Sequence, residues 1–213
     1  MTIAFANIER FSPLTMTASP APSKRRPAKA RQYPGPAGSA IVAVAAEDVA
    51  AHGQAAKFQR VFESAYGAEA QRRLWVVFSD DKGAGHAALL FDRGQAAELA
   101  SHPVQARVID EWFAASGLER RKDLQIALNL TPSMLSRKGS GDKDLDASVT
   151  ERMLRHSDLL VRAAEVFGED GPAWMTKPHP VLDGKTPLEF ASNEFGAERV
   201  REILNAIEYG GVV

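Results

Sequence analysis

Apolar residues recur at helical spacing in several places along the chain. Between Gln54 and Tyr66, the positions Phe58, Val61, Phe62, Ala65 and Tyr66 fall on one face, and Gly67 stands where a left-handed C-terminal cap belongs. That pattern predicts an amphipathic helix. Two short apolar runs follow, Leu74 to Phe78 and Ala87 to Phe91, separated by the polar stretch SDDKGAG; their length and turn residues fit a hairpin, and helix stays open for either run. From about His102, with Ser101 as cap and Pro103 in the first turn, Val104, Val108, Trp112 and Phe113 predict a helix that stops before Gly117. Leu124 and Leu128 mark the next helix. Asn129 suits a left-handed turn, and Thr131-Pro132-Ser133 opens a further helix with a capping threonine and a proline at its first position.

Ser148, with Glu151 completing a capping box, is expected to start the longest helix, which carries the stripe Val149, Met153, Leu160, Ala164 and Phe167 and ends at Gly168. That stripe reads as core or as a dimer seam. Arg152, Arg155 and Arg162 read as its solvated face. Gly171-Pro172 opens a turn carrying Trp174 and Met175, and Pro178 and Pro180 exclude regular helix beyond it. Asp183-Gly184 marks a tight turn. Thr186, Pro187 and Glu189 form a second capping-box signal for a helix from Pro187 to about Glu194, which Gly196 interrupts. Val200, Ile203, Leu204 and Ile207 then define a last amphipathic helix reaching Tyr209 and stopping at Gly210-Gly211. Trp174, Phe195 and Ile207 are expected to be core.

Composition changes this picture at the N-terminus and removes several kinds of chemistry. Residues 1–40 include the Pro/Ser-rich basic run SPAPSKRRPAKARQYPGPAGS, without helical or strand period, and are expected to be a disordered tail. A phosphate-tracking arm, a targeting peptide and a plain solvated leader all fit it. The formal net charge of −1 gives no whole-protein nucleic-acid signature. The absence of cysteine excludes disulfides, thiolate metal sites and cysteine nucleophiles, and suits a cytoplasmic protein. The longest apolar run, Ala40 to Ala46, is far short of a membrane span. His52, His86, His102, His156 and His179 lack metal-ligand spacing, and no serine lies in a nucleophile elbow. Gly83 and Gly85 lack the lysine and hydroxyl residue of a phosphate loop and read as a turn. No catalytic residue, metal or cofactor is expected, and His156 reads as a surface or packed residue rather than a base.

The segment LQIALNLTPSMLSR, Leu124 to Arg137, resembles the helix-turn-helix of Xre/Cro-type regulators. Leu124, Leu128, Leu130 and Leu135 occupy its apolar positions, and Ser136-Arg137 matches the serine-arginine that ends the recognition helix. Gln125 departs from the usual small residue, and Asn129 replaces the common glycine. On DNA, Thr131 and Ser133 would meet phosphate, Ser133, Met134 and Arg137 would reach base edges, and Lys138 would add a phosphate contact. The other reading is a packing module that touches no DNA, favoured by Asp142, Asp144 and Asp146 close by.

Further on, WMTKPHPVLDGKTPLEFASNEFGAERVREILNAIEYG resembles the toxin-binding domain of the Xre/MbcA/ParS antitoxins, the partners of RES-domain toxins. The likeness rests on Trp174, Pro178, Leu182, Gly184, Thr186-Pro187-Leu188, Gly196, Val200, Leu204, Ile207 and Tyr209-Gly210. Met175 and His179 stand where leucine and asparagine are commoner. The resemblance covers about residues 100 to 213. It implies an antitoxin, not an enzyme, that neutralises a toxin with an ADP-ribosyltransferase-like, NAD-using fold by covering its NAD cleft, and that represses its own operon. Here that role would fall to Arg199 through Val213, with Leu182 beside them and Glu208, Tyr209, Gly210, Gly211, Val212 and Val213 at the tip. From the residues alone, an aromatic, two glycines and an acidic group at a helix end suit a cleft built for a phosphate-bearing dinucleotide.

The expected architecture is therefore mainly α, with a short β-hairpin allowed in the N-terminal half. Residues 41–100 form a mainly helical region of unassigned role, 101–147 the helix-turn-helix region, and 148–213 the linking helix and toxin-binding domain. The expected partners are a RES-domain toxin and operator DNA, with a homodimer inside a larger complex. The alternative is a stand-alone regulator whose C-terminal domain dimerises.

Overall fold

The computed structural model describes residues 49–70, 72–79, 87–136 and 144–211. Helix α1, Val49–Tyr66, ends at Gly67, whose φ of +56° a residue with a Cβ adopts only at a cost. Phe58 and Phe62 on its inner face are fully buried. The two apolar runs pair as an antiparallel hairpin of β1, Trp75–Ser79, and β2, Ala87–Phe91, in the register Trp75↔Phe91 to Ser79↔Ala87. Side chains alternate across a strand, so Trp75 and Phe91 meet on the inner face at 5.2 Å while Val76 and Leu90 turn outward together. The stretch between the strands, with Gly83 and Gly85, lies outside the described residues.

Helix α2, Arg93–Ala100, is capped by Asp92, whose Oδ1 accepts from the Gln95 amide at 2.9 Å. This helix takes Ser101 as its own C-cap, which corrects the expected start of the next one. Val104–Gln105 is instead a short strand, β3, and α3 runs from Val108 to Ser116 before Gly117. Val104 and Val108 are both buried, and a spacing of four satisfies a helix even when the first residue is extended. Helix α4, Arg121–Leu128, ends at Asn129 in the left-handed region, φ 49° and ψ 47°. Helix α5, Pro132–Ser136, starts with Thr131 Oγ1 accepting from the Met134 amide at 3.3 Å.

Beyond residues 137–143, which are not described, β4, Asp144–Leu145, pairs with β3. Helix α6, Ala147–Phe167, follows. Its cap is Asp146, which accepts from the Ser148 amide at 2.7 Å, so the expected Ser148–Glu151 box does not form. A carboxylate two residues upstream is the stronger acceptor, and it starts the helix earlier. α6 is the central element, packing against α1, α2, α3, α4 and, further along, α7 and α9. Val149, Met153, Leu160 and Ala164 are buried, and one apolar cluster runs from Ala55 to Leu204.

Helix α7, Gly171–Met175, and a tight turn at Pro180–Leu182 lead to α8, Pro187–Phe190, and α9, Glu194–Glu208. α8 is shorter than expected, because Asn193 starts a new helix by accepting from the Gly196 amide at 3.0 Å. Gly196 is therefore not an interruption. It lies in the first turn of α9 where a Cβ would stand 1.8 Å from the Phe190 carbonyl oxygen, so its small size permits the α8–α9 crossing. The architecture is mainly α with one short hairpin and the β3–β4 bridge. No described helix is long and apolar enough to cross a membrane.

Candidate functional site

The C-terminal module is held by local chemistry and by cations projecting from α6. Trp174 stacks on Phe167 at 5.2 Å and lies 4.7 Å from the His179 ring, so it is half-buried framework. The following turn passes through Asp183 and Gly184 at φ 54° and 74°, and the Gly184 amide donates to the His179 carbonyl at 3.1 Å. Leu182 inside this turn is 1% exposed, so its side chain belongs to the core and not to the outer surface expected of a contact residue. The Thr186–Glu189 box forms as the sequence indicates: the Glu189 amide donates to Thr186 Oγ1 at 3.1 Å, and the Thr186 amide donates back to the Glu189 carboxylate at 3.0 Å. The Thr186 amide holds the Glu189 carboxyl below the usual range.

Helix α9 buries Val200, Ile203 and Leu204 against the core. Arg201 fixes it to α6, donating to Asp158 at 2.8 Å and to Glu194 and Glu198 at 2.9 Å each. Burial pushes the Asp158 carboxyl up, and Arg201 opposes that shift. Arg162 donates to Glu165 at 2.7 Å, to Asn205 Oδ1 at 2.8 Å, and to Glu208. Arg155 is 7% exposed, donates to the Ser192 carbonyl at 3.1 Å and pairs with Glu151 at 2.9 Å. Arg152 donates to the Leu128 carbonyl at 3.2 Å. The three arginines expected to be solvated therefore tie α6 to α4 and to the C-terminal module. Their long apolar stems cover core while the heads reach partners far away in sequence.

The outer face is where the expectation of core fails most clearly. Phe195 is 91% exposed and Ile207 42% exposed. Phe195 lies off the stripe of Val200, Ile203 and Leu204, and that offset is the readable signal. Ile207 is on the stripe, but the helix has by then passed the end of the core. Tyr209, 79% exposed, follows Glu208, and Gly210 at φ +69° turns the chain back so that the Gly211 amide donates to the Ala206 carbonyl at 2.7 Å. Arg199 is exposed and pairs with Glu202 at 3.0 Å. Glu208, expected at a partner's surface, is held by Arg162. Val212 and Val213 lie outside the described residues.

Thr131, Ser133 and Met134 are exposed around the start of α5, with the Thr131 and Ser133 hydroxyls 3.0 Å apart. Ser136 ends α5, and Arg137, Lys138 and Asp142 lie outside the described residues. Asp146 is committed to capping α6, where the Ser148 hydroxyl and amide hold its carboxyl below the usual range. His156 is fully buried, as a packed residue; burial pushes it down to about 3, with the neighbouring Arg155 adding to that.

Residues 162–210 match the family described as the antitoxin Xre/MbcA/ParS C-terminal toxin-binding domain. The match begins at Arg162 and ends at Gly210, enclosing the Arg162–Glu208 tie, the capping box and all of α9. Over 126 residues the chain is 30% identical to the "Antitoxin Xre" of Pseudomonas putida strain KT2440, a span of 53% of this chain and 76% of that relative. With its helical fold and this C-terminal module, the chain belongs to the Xre family of antitoxins.

Proposed function

We propose that this antitoxin binds a cognate RES-domain toxin and inactivates it by laying the end of α9 and the tail over the toxin's NAD cleft. The observation that carries this reading is Tyr209, an aromatic 79% exposed at the end of a helix otherwise fixed to the core. Gly210 and Gly211 beside it add no side chain and permit close backbone approach. An exposed aromatic on a preorganised support is the usual form of an interface hot spot. Arg199 lies on the same face of α9, about 15 Å nearer the helix start. Leu182 acts from behind, by packing. The protein itself performs no catalysis, works in the cytoplasm and binds as a homodimer within a larger complex.

The test is a chain truncated after Glu208, which keeps the Arg162 tie, co-expressed with a cognate RES-domain toxin. Loss of protection with an unchanged circular dichroism spectrum is expected. Full protection by the truncated chain sinks the cleft-covering mechanism.

The exposed Thr131, Ser133 and Met134 around the start of α5, after a left-handed turn at Asn129, favour operator binding as a second role. Promoter DNA is expected to bind with an affinity that falls steeply with salt and weakens on Arg137→Ala. No binding at low salt, with or without toxin, excludes that role.

A further inference from the structure

Phe195 is 91% exposed in the first turn of a helix whose other apolar residues nearly all turn inward. The backbone there is rigidly set. Asn193 caps the helix, Gly196 is wedged against the Phe190 carbonyl, and Arg201 binds Asp158. The ring is thus held out by a fixed support and contributes little to the core. At 100° per residue, Phe195, Arg199, Glu202, Ala206 and Tyr209 share the face of α9 opposite Val200 and Leu204. Phe195 and Tyr209 stand at its two ends, about 20 Å apart at 1.5 Å per residue. Between them Arg199 pairs with Glu202, and Glu198 beside them pairs with Arg201, so the face offers a partner two aromatics rather than unpaired charge.

We propose that Phe195 is a second anchor for the toxin, seated in an apolar socket remote from the NAD cleft, so that the toxin is gripped along the whole outer face of α9. This rests on the toxin-binding reading above. Two observations favour the toxin over a second copy of this chain. The face is continuous with the Tyr209 end inside the matched toxin-binding domain. Self-pairing of one strip about 20 Å long and 10 Å wide also falls short of the roughly 800 Å² per partner of a stable interface.

The two anchors separate experimentally, because Phe195 governs affinity and the tail governs inhibition. Full-length wild type, Phe195→Ala, Phe195→Ser, Phe195→Leu and a chain ending at Glu208 are titrated calorimetrically against a cognate RES-domain toxin, inactivated at its catalytic residue. NAD consumption by the active toxin is followed in parallel. Phe195→Ala and Phe195→Ser are expected to weaken binding at least about tenfold, and Phe195→Leu to retain most of it. At saturation all three still suppress NAD consumption fully. The truncated chain binds but does not suppress it. Melting temperatures of the Phe195 variants stay at the wild-type value. Unchanged affinity in Phe195→Ala and Phe195→Ser, with the truncation still failing to inhibit, overturns the second anchor and leaves the cleft reading intact. A shift from dimer to monomer in sedimentation, at unchanged toxin affinity, assigns Phe195 to a second copy and overturns it equally. Failure of the wild type to bind the toxin removes both readings.

Discussion

The Arg162 guanidinium of α6 donates to the Glu208 carboxylate at the last residue of α9, closing a ring with Asn205 and Glu165. Glu165 depends on it, because burial raises that carboxyl and Arg162 is the cation that lowers it again. Arg162→Ala therefore strands a largely buried carboxylate, and a loss of about 2 kcal/mol is expected in urea unfolding. Glu208→Ala removes only the half-exposed arm, at less than about 1 kcal/mol. Amide hydrogen exchange around Ala206–Gly211 accelerates in both variants, since the end of α9 is no longer tied down.

Gly196→Ala places a methyl 1.8 Å from the Phe190 carbonyl oxygen, a backbone atom that cannot turn aside. The α8–α9 crossing must open, and a loss of about 3 kcal/mol is expected from overpacking. A melting temperature within two degrees or so of wild type contradicts that close approach.

His156 is fully buried next to Arg155, and its folded value of about 3 lies below the ordinary 6.5. The unfolded chain therefore binds a proton that the folded chain refuses between those two values, and stability falls as pH drops through that window. At pH 5 the loss amounts to about 2 kcal/mol relative to pH 7. His156→Leu removes the proton uptake, so its urea midpoint is expected to change less between pH 7 and pH 5. Parallel curves for the two proteins count against the assignment.

Trp112, fully buried in α3, donates its indole N–H to Ser157 Oγ at 2.9 Å, and Ser157 in turn donates to the Met153 carbonyl at 2.7 Å. Ser157→Ala leaves the indole without its acceptor. An unmade buried hydrogen bond costs roughly 1–3 kcal/mol, readable in chemical denaturation.

Asn129 holds φ 49°, a conformation that asparagine tolerates and glycine adopts freely. Asn129→Gly is expected to leave stability within about 0.5 kcal/mol, whereas Asn129→Val loses about 1–2 kcal/mol. Urea denaturation of the two variants compares them directly.

What the sequence reveals here depends on how far each interaction reaches along the chain. The Thr186–Glu189 box, the Asn129 turn and the Gly67 cap are legible because each is set within a few residues, whereas the hairpin, whose partners lie 8 to 16 residues apart, stays one of two readings. Asp146 and Ser148 stand two residues apart, both with an oxygen able to cap, and the geometry of the chain decides between them. Ser101 reads as the start of a helix by residue type, but it directly follows α2 and ends that helix instead. Arg155 and Arg162 look solvated until the fold brings Ser192, Asn205 and Glu208 to them from 37 to 46 residues away. Of the surface expected at the C-terminus, Tyr209 and Arg199 are readable from helix phase and from the family likeness. Leu182 is expected at the contact surface from the family likeness, and its side chain instead folds into the core. Phe195 looks like core by residue type and shows otherwise only by its angle around α9.

α6 supplies buried side chains to the α1–α4 side and to α9 alike, and a single apolar cluster joins the two. A protease that opens α6 therefore leaves neither fragment with a core of its own. Turnover of this antitoxin becomes a single event: the outer face of α9 and the exposed start of α5 vanish together, and no folded remnant stays behind.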